Sequence, residues 1–268
     1  MKKLFAIITI SLLISCAEND RQKAEKLFNK AEQFYKENNT AQAAALIDSI
    51  HAAFPRQVEF RRKADTVSWK ITLDKIRVEL PLNDSALMSE CTEAEAVAKN
   101  FNFVKNEKYQ QSGNYEPREV SFTALRNCLK PATDEKGNFF FISTFVGQPL
   151  NYRAVEAVAN GLSAQTQTAA ESNCNSYNEI GTTCETVIFN AENAKDFILF
   201  LLDNENNSLK INLLGDKNFS YTLAQRELKA FVETFKFSLL LKGIAQRQQQ
   251  KAEMEQTAHK LQLRLEKS

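Results

Sequence analysis

The hydrophobic period changes twice along this chain, and those changes limit the fold more than any other feature. From Ala24 the apolar residues fall at Ala24, Leu27, Phe28, Ala31, Phe34 and Tyr35, the spacing of one helical face. Asn38, Asn39 and Thr40 interrupt it, and a second helical face follows with Ala43, Leu46, Ile47, Ile50 and Phe54 before Pro55. Two amphipathic helices joined by a short polar turn predict an antiparallel hairpin. Phe60, Ala64, Val67 and Ile71 predict a third helix, and apolar positions continue through Trp69, Leu73, Ile76 and Leu80. After Pro81 they resume at Leu87, Cys91, Ala94, Ala98 and Phe101 with roughly heptad spacing. Pro81 leaves two readings: a kinked stalk whose second half is capped by Asn83 or Asp84, or two helices with a turn at 81–84.

Past Phe103 the helical period is lost. Turn residues stand at Ser112-Gly113-Asn114 and Glu116-Pro117. The segment Asn138 to Val146 carries Phe139, Phe140, Phe141, Ile142, Phe145 and Val146, a β-prone composition. Asp134 to Gly137 predicts a hairpin turn joining it to a strand over Val120 to Leu129. Further strands are predicted at Tyr152 to Ala159, Thr183 to Phe189, Phe197 to Leu202, Leu209 to Leu214 and Phe219 to Tyr221, with turns at Asp203 to Asn207 and Gly215-Asp216. Consecutive strands without helices between them imply an antiparallel sheet or small sandwich holding most of the core.

Helical period returns at Thr222, with Gln225 three residues on as a capping box. Leu228, Phe231, Val232, Phe235, Leu239 and Leu240 form the apolar face; after a polar stretch from Gln246 to Lys251, Met254, Ala258, Leu261 and Leu265 restore the seam. Unbroken, this helix extends about 60 Å at ~1.5 Å per residue, long enough to form a coiled coil with the stalk. The expected class is α+β. Its parts are helices over 24–80, a stalk helix over 84–105, a β domain over 106–222 and a C-terminal helix over 223–266 packing back on the stalk.

Residues 24–55 resemble a tetratricopeptide repeat at Leu27, Ala31, Phe34, Ala43, Ile47 and Pro55, and depart from it at Lys30 and Ile50. A single repeat cannot bury its own face, so the resemblance implies support from a third helix or a partner chain. Ahead of it, Lys2 and Lys3 precede an apolar run from Leu4 to Ile14 interrupted only by Thr9 and Ser11. That order marks an export signal over 1–15, and the run is shorter than the roughly 20 residues a spanning helix needs.

Leu13-Ile14-Ser15-Cys16 resembles the bacterial lipobox. The resemblance implies cleavage before Cys16, acylation of that residue, and a lipidated linker over 16–23, so that membrane lipid is the first partner. Ala17, Glu18, Asn19 and Asp20 place no aspartate directly after the cysteine, which by resemblance to enterobacterial sorting implies the outer membrane, in a periplasmic or surface-exposed setting. The whole order resembles lipoproteins of Bacteroidetes-type bacteria, as does Ala-Leu-Ile-Asp-Ser-Ile at 45–50. No activity comes with that resemblance.

Composition narrows the function classes. Removing Lys2 and Lys3 from the 34 basic residues leaves 32 against 33 acidic, and so near-neutral a chain offers no footprint for nucleic acid. The local exception is Arg56, Arg61, Arg62 and Lys63, which reads as a solvated helix face. Besides Cys16 the chain has Cys91, Cys128, Cys174 and Cys184, with no Cys-x-x-Cys or neighbouring histidine to suggest a metal. Cys174 and Cys184 flank a polar stretch around Gly181 and are candidates for a disulfide closing that loop.

His51 and His259 lie far apart on helices, and no nucleophile stands near either in sequence. Glu93, Glu95, Glu253 and Glu255 belong to polar helical faces among lysines, and there is no Gly-rich phosphate loop. No catalytic residue, metal or cofactor is expected. The favoured expectation is a non-catalytic binding or scaffold role with an envelope protein as partner. An alternative places a glycan or peptidoglycan ligand on the β domain, at the Asn- and Ser-rich loop from Ser172 to Asn178 beside Tyr177.

Overall fold

The structure, a computed structural model, describes residues 2–108, 111–120, 126–179 and 181–267, with side chains from residue 19 onward except that of residue 179. In chain order the elements are α1 (Lys2–Lys36), α2 (Thr40–Ala53), α3 (Val58–Ala98), β1 (Phe101–Val104), β2 (Asn114–Pro117), β3 (Cys128–Asp134) and β4 (Phe139–Gly147). They continue as β5 (Ala154–Ala159), β6 (Leu162–Gln165), a 3-10 turn (Glu171–Asn173), β7 (Cys174–Glu179), β8 (Thr182–Asn190), α4 (Lys195–Asp203), β9 (Leu209–Leu214), β10 (Phe219–Leu223) and α5 (Gln225–Leu265). The fold is α+β. It divides into two compact units, one of residues 1–85 with 249–268 and one of residues 86–248.

The first unit is helical, and its core is the one the periodicity traces. Ala24, Ala31, Ile47, Ile50, Phe60, Ala64 and Val67 form one buried cluster, with Leu27, Phe28, Tyr35, Leu46, Phe54 and Ile71 packed against it. The hairpin's third wall is therefore α3 of the same chain. The turn between α1 and α2 is a Schellman motif: Asn38 takes a left-handed φ of 59°, its N–H bonds to Tyr35 O and that of Asn39 to Phe34 O. Asn39 then caps α2, its side chain accepting from the N–H of Gln42 at 3.3 Å. Tyr35 Oη donates to Asp74 Oδ2 at 2.6 Å and ties α1 to α3.

Two expectations about the helices change, and the choice at Pro81 is decided. The segment 16–23, read as a linker, is part of α1; it contains no glycine or proline that would end a helix. Pro81 stands inside α3, which runs through it, so of the two readings the continuous stalk stands and the turn at 81–84 does not. The stalk stops at Ala98 rather than 105, because residues 101–104 form a strand that pairs with β2, Phe101 opposite Pro117.

The second unit holds two antiparallel sheets among the described residues, in the orders β1-β2-β3-β4-β8-β7 and β10-β9-β5-β6. A single core joins them. Phe141 of β4 is fully buried and stacks on Phe189 at 5.1 Å and Phe197 at 5.4 Å, with Phe231 edge-on at 5.2 Å. Val155, Ala157, Leu209, Ile211 and Leu213 meet the same core from the other sheet. In β4, buried positions alternate with half-buried ones, as a pleated strand with one face on the core requires.

The β3–β4 turn lies at Asp134 to Gly137 as the sequence predicts. Asp134 Oδ1 accepts from the N–H groups of Lys136 and Asn138 at 2.9 and 2.8 Å, an Asx-type closure. Gly137 has φ 79°, and a Cβ there would stand 2.3 Å from Ser238 O on α5, so both conformation and close approach demand glycine. The strand before the turn is Cys128–Asp134; of the expected 120–129 it takes in residues 128 and 129, residues 120, 126 and 127 are not strand, and residues 121–125 lie outside the described residues. Pro131 argues against a strand in sequence, yet β3 accommodates it because β2 pairs only with Thr133 and Asp134 and asks no N–H of residue 131.

Two further corrections concern local signals. The segment 197–202, read as a strand, lies in α4: its apolar run has no decisive period, but burial at Phe197, Ile198 and Leu201 with Leu199 exposed is helical spacing. Thr222 does not cap α5. It sits on β10 opposite Lys210, and the chain enters the helix through Ala224 to Gln225.

Candidate functional site

The β7–β8 ladder and the chain leading into β5 enclose a cavity of about 380 Å³ in the second unit. Its position follows from local structure. Asn151, at a left-handed φ of 52°, turns the chain from β4 toward β5 and sets Asn151, Tyr152 and Arg153 along one wall. Glu171, Cys174, Asn175 and Ser176 come from the 3-10 turn and β7, and Glu185, Thr186 and Val187 from β8. Part of the polar loop singled out in sequence, Ser172 to Asn178, thus lines the cavity. Tyr177 is 42% exposed and does not.

Two of the charged groups in this wall, Glu185 and Arg153, are committed to backbone. Glu185 is buried, and its two carboxylate oxygens accept from the N–H groups of Leu150 and Asn151, both at 2.9 Å. Through these two bonds it holds the 148–151 segment over β8. Arg153 donates through Nε and Nη2 to the carbonyl of Ala169, which draws the chain after β6 back against β5. Tyr152 Oη donates to Ser143 O at 2.8 Å, and burial pushes its phenol well above the usual tyrosine range. The other polar residues of the lining are Glu171, Asn175, Ser176 and Thr186, with the Cys174 thiol beside them. Such a set can hydrogen-bond a polar ligand.

The expected Cys174–Cys184 disulfide is not formed. Both thiols are free, and the ladder shows why: Cys174 is opposite Val187 and Cys184 opposite Tyr177, so the cysteines stand three rungs apart on adjacent strands. Cys174 Sγ instead contacts Ala170 O at 3.5 Å. The side chain of Cys16, the lipidation candidate, lies outside the described residues.

The two histidines stay apart from this cavity, in the first unit. His51 Nδ1 accepts from Arg61 Nε at 3.3 Å and its Nε2 lies 3.1 Å from Asp65 Oδ1, so both ring nitrogens are engaged. Among the described residues no group of three or more His, Cys, Asp and Glu side chains converges as metal ligands do, and no helix is long and apolar enough to cross a membrane.

Sequence reasoning missed a buried ion pair in the second unit. Glu227, in the first turn of α5, bonds to Arg126 just ahead of β3, with only 5% of the glutamate side chain exposed. Beside it Cys128 is buried and its thiol is pushed up by burial and then by the Glu227 charge. A carboxylate at a helix N-terminus is visible in sequence, but its burial against a residue about a hundred positions away is not.

No protein-family model matches the chain, and no curated protein or solved structure is similar to it.

Proposed function

We propose that this chain is a lipid-anchored cell-envelope protein, acylated at Cys16, with a non-catalytic binding or scaffold role toward an envelope protein. The observation that carries the reading is the order Lys2-Lys3, apolar run, Leu13-Ile14-Ser15-Cys16. The commitment of His51, Arg153 and Glu185 to structural hydrogen bonds supports a non-catalytic role. Metabolic labelling with an alkyne fatty acid tests the anchor: label should enter the wild-type chain and be lost in Cys16→Ser. Proximity crosslinking in intact cells tests the partner, and one envelope protein of defined mass should be captured with the wild type and lost with the variant. An unlabelled wild-type chain would overturn the reading.

A second reading, a glycan or peptidoglycan ligand on the β unit, is favoured by the cavity beside β7. Its amide and hydroxyl lining suits a polyhydroxylated ligand. Retention on isolated cell-wall sacculi, weakened by Asn175→Ala with Thr186→Ala, is the expected result. Equal retention of the double variant would remove this reading.

A further inference from the structure

A second cavity, of about 480 Å³, lies in the helical unit between α3 and the C-terminal part of α5. Its lining is strongly cationic: Arg62, Lys63, Arg264 and Lys267 stand against a single carboxylate, Asp65, which is already engaged by His51. The floor is Trp69, with the Arg264 guanidinium 5.6 Å from its ring centroid. In a chain close to neutral this concentration of positive charge is local, and it surrounds the one tryptophan. The sequence reads Arg62 and Lys63 as a plain solvated face. Only the folded chain brings Arg264 and Lys267, about two hundred positions away, to the same place.

The cavity also lies close to the N-terminal helix. Lys63 Nζ bonds to Glu59 Oε1 at 2.8 Å, and Glu59 Oε2 lies 3.7 Å from Arg21 Nη2 on α1. Arg21 is five residues from Cys16, roughly 7–8 Å of helical rise. An indole rimmed by guanidinium and ammonium groups matches the boundary of a bilayer, where the ring takes the interfacial layer and the cations take lipid phosphates.

We propose that this cavity is a headgroup site through which the helical unit seats on the anionic surface of the membrane that anchors it. The inference rests on the lipid-anchor reading for its geometry, while its charge and aromatic chemistry stand on the structure. Seating at a second point would fix the helical unit against the bilayer rather than leave it tethered at one residue, which is the two-signal logic of stable membrane attachment.

The test uses the mature chain from residue 16 with Cys16→Ser, so that no acyl chain holds it to a vesicle, and reads the emission of Trp69, the sole tryptophan. Vesicles containing phosphatidylglycerol should shift the emission to shorter wavelength and sediment the protein, and raised salt should reverse both. Pure phosphatidylcholine vesicles should do neither. Arg62→Gln with Arg264→Gln, both on exposed side chains, should weaken sedimentation by roughly tenfold or more while leaving the circular dichroism unchanged. Lys108→Gln, outside the cavity, should bind as the parent does.

Equal response to both vesicle types, no response to phosphatidylglycerol, or unchanged binding by the double variant would overturn the proposal. A response to inorganic phosphate with none to vesicles would assign the cavity to a free anion and also overturn it. Fatty-acid labelling of the wild type separates the two readings. Label without vesicle binding removes the headgroup site alone, and vesicle binding without label retains the site while removing the anchor.

Discussion

The two units bury their cores by different means. In the helical unit the fully buried positions are largely small residues, Ala24, Ala31, Ala43 and Ala64, which let helix backbones approach, with Ile47, Ile50 and Phe60 filling between them. In the β unit phenylalanines do the filling: Phe141 meets Phe189, Phe197 and Phe231, contributed by β8, α4 and α5. The first core joins segments close in sequence; the second closes over loops of many tens of residues. The lesson is that a helical hairpin with its third helix is specified locally, whereas the sandwich depends on aromatic contacts that exist only once distant strands have met.

That contrast predicts how each unit breaks. The largest effect should come from Phe141→Ala, about 4 kcal/mol, because the cavity would be lined on three sides by rings that cannot all collapse into it. Followed by strand-sensitive far-ultraviolet circular dichroism in denaturant, it should shift the midpoint of the β unit more than that of Trp69 fluorescence, which reports on the helical unit. Equal shifts in both signals would break the comparison.

Next, Arg126→Ala should cost roughly 2–3 kcal/mol by leaving the buried Glu227 carboxylate without its guanidinium, and Glu227→Gln added to it should recover part of the loss. A double variant no more stable than Arg126→Ala would show that the burden lies in packing instead. Smaller again, Asn39→Ala should destabilise the helical unit by about 1 kcal/mol through loss of the α2 cap, read as an earlier Trp69 transition.

The smallest effect is a pH dependence. The Tyr35 phenol is raised above its ordinary value, first by the hydrogen bond it donates to Asp74 and then by burial. Its contribution is therefore complete below about pH 10, the unfolded value, and is lost as pH rises through the folded one. Wild type should exceed Tyr35→Phe in stability by about 1 kcal/mol at neutral pH, and the gap should narrow in alkali. A gap that stays constant to the highest pH would mean that the Asp74 bond contributes nothing.

Legibility follows the same division. Every buried residue of the α1–α2–α3 core lies on a face that the 3.6-residue period marks out, and the Asn38-Asn39 interruption lies at the turn itself. In the β unit β4, β8 and β9 were legible because their apolar and β-prone runs are long. The segment 197–202 was not, because a short unbroken apolar run fits either a buried helix or a strand until its neighbours choose. The extent of β3 was not legible, because it runs through Pro131, and a proline's tolerance depends on which strand lies on its N–H side. Of the β-unit cavity, the polar stretch Cys174 to Ser176 was visible; Glu185 and Arg153 were not, because their burial depends on carbonyl and amide groups brought from elsewhere.

By itself the sequence determined the helical hairpin, the helical class of both flanks and the β class of the middle, since each is written in the spacing and kind of adjacent residues. Tertiary structure alone decided that α3 runs through Pro81, that Cys174 and Cys184 stand three rungs apart, that Glu227 meets Arg126, and that Arg264 joins Arg62 around Trp69. The reason is physical. A period is a property of neighbours along the chain, whereas a register, a buried charge pair or a shared cavity is the outcome of which distant surfaces meet.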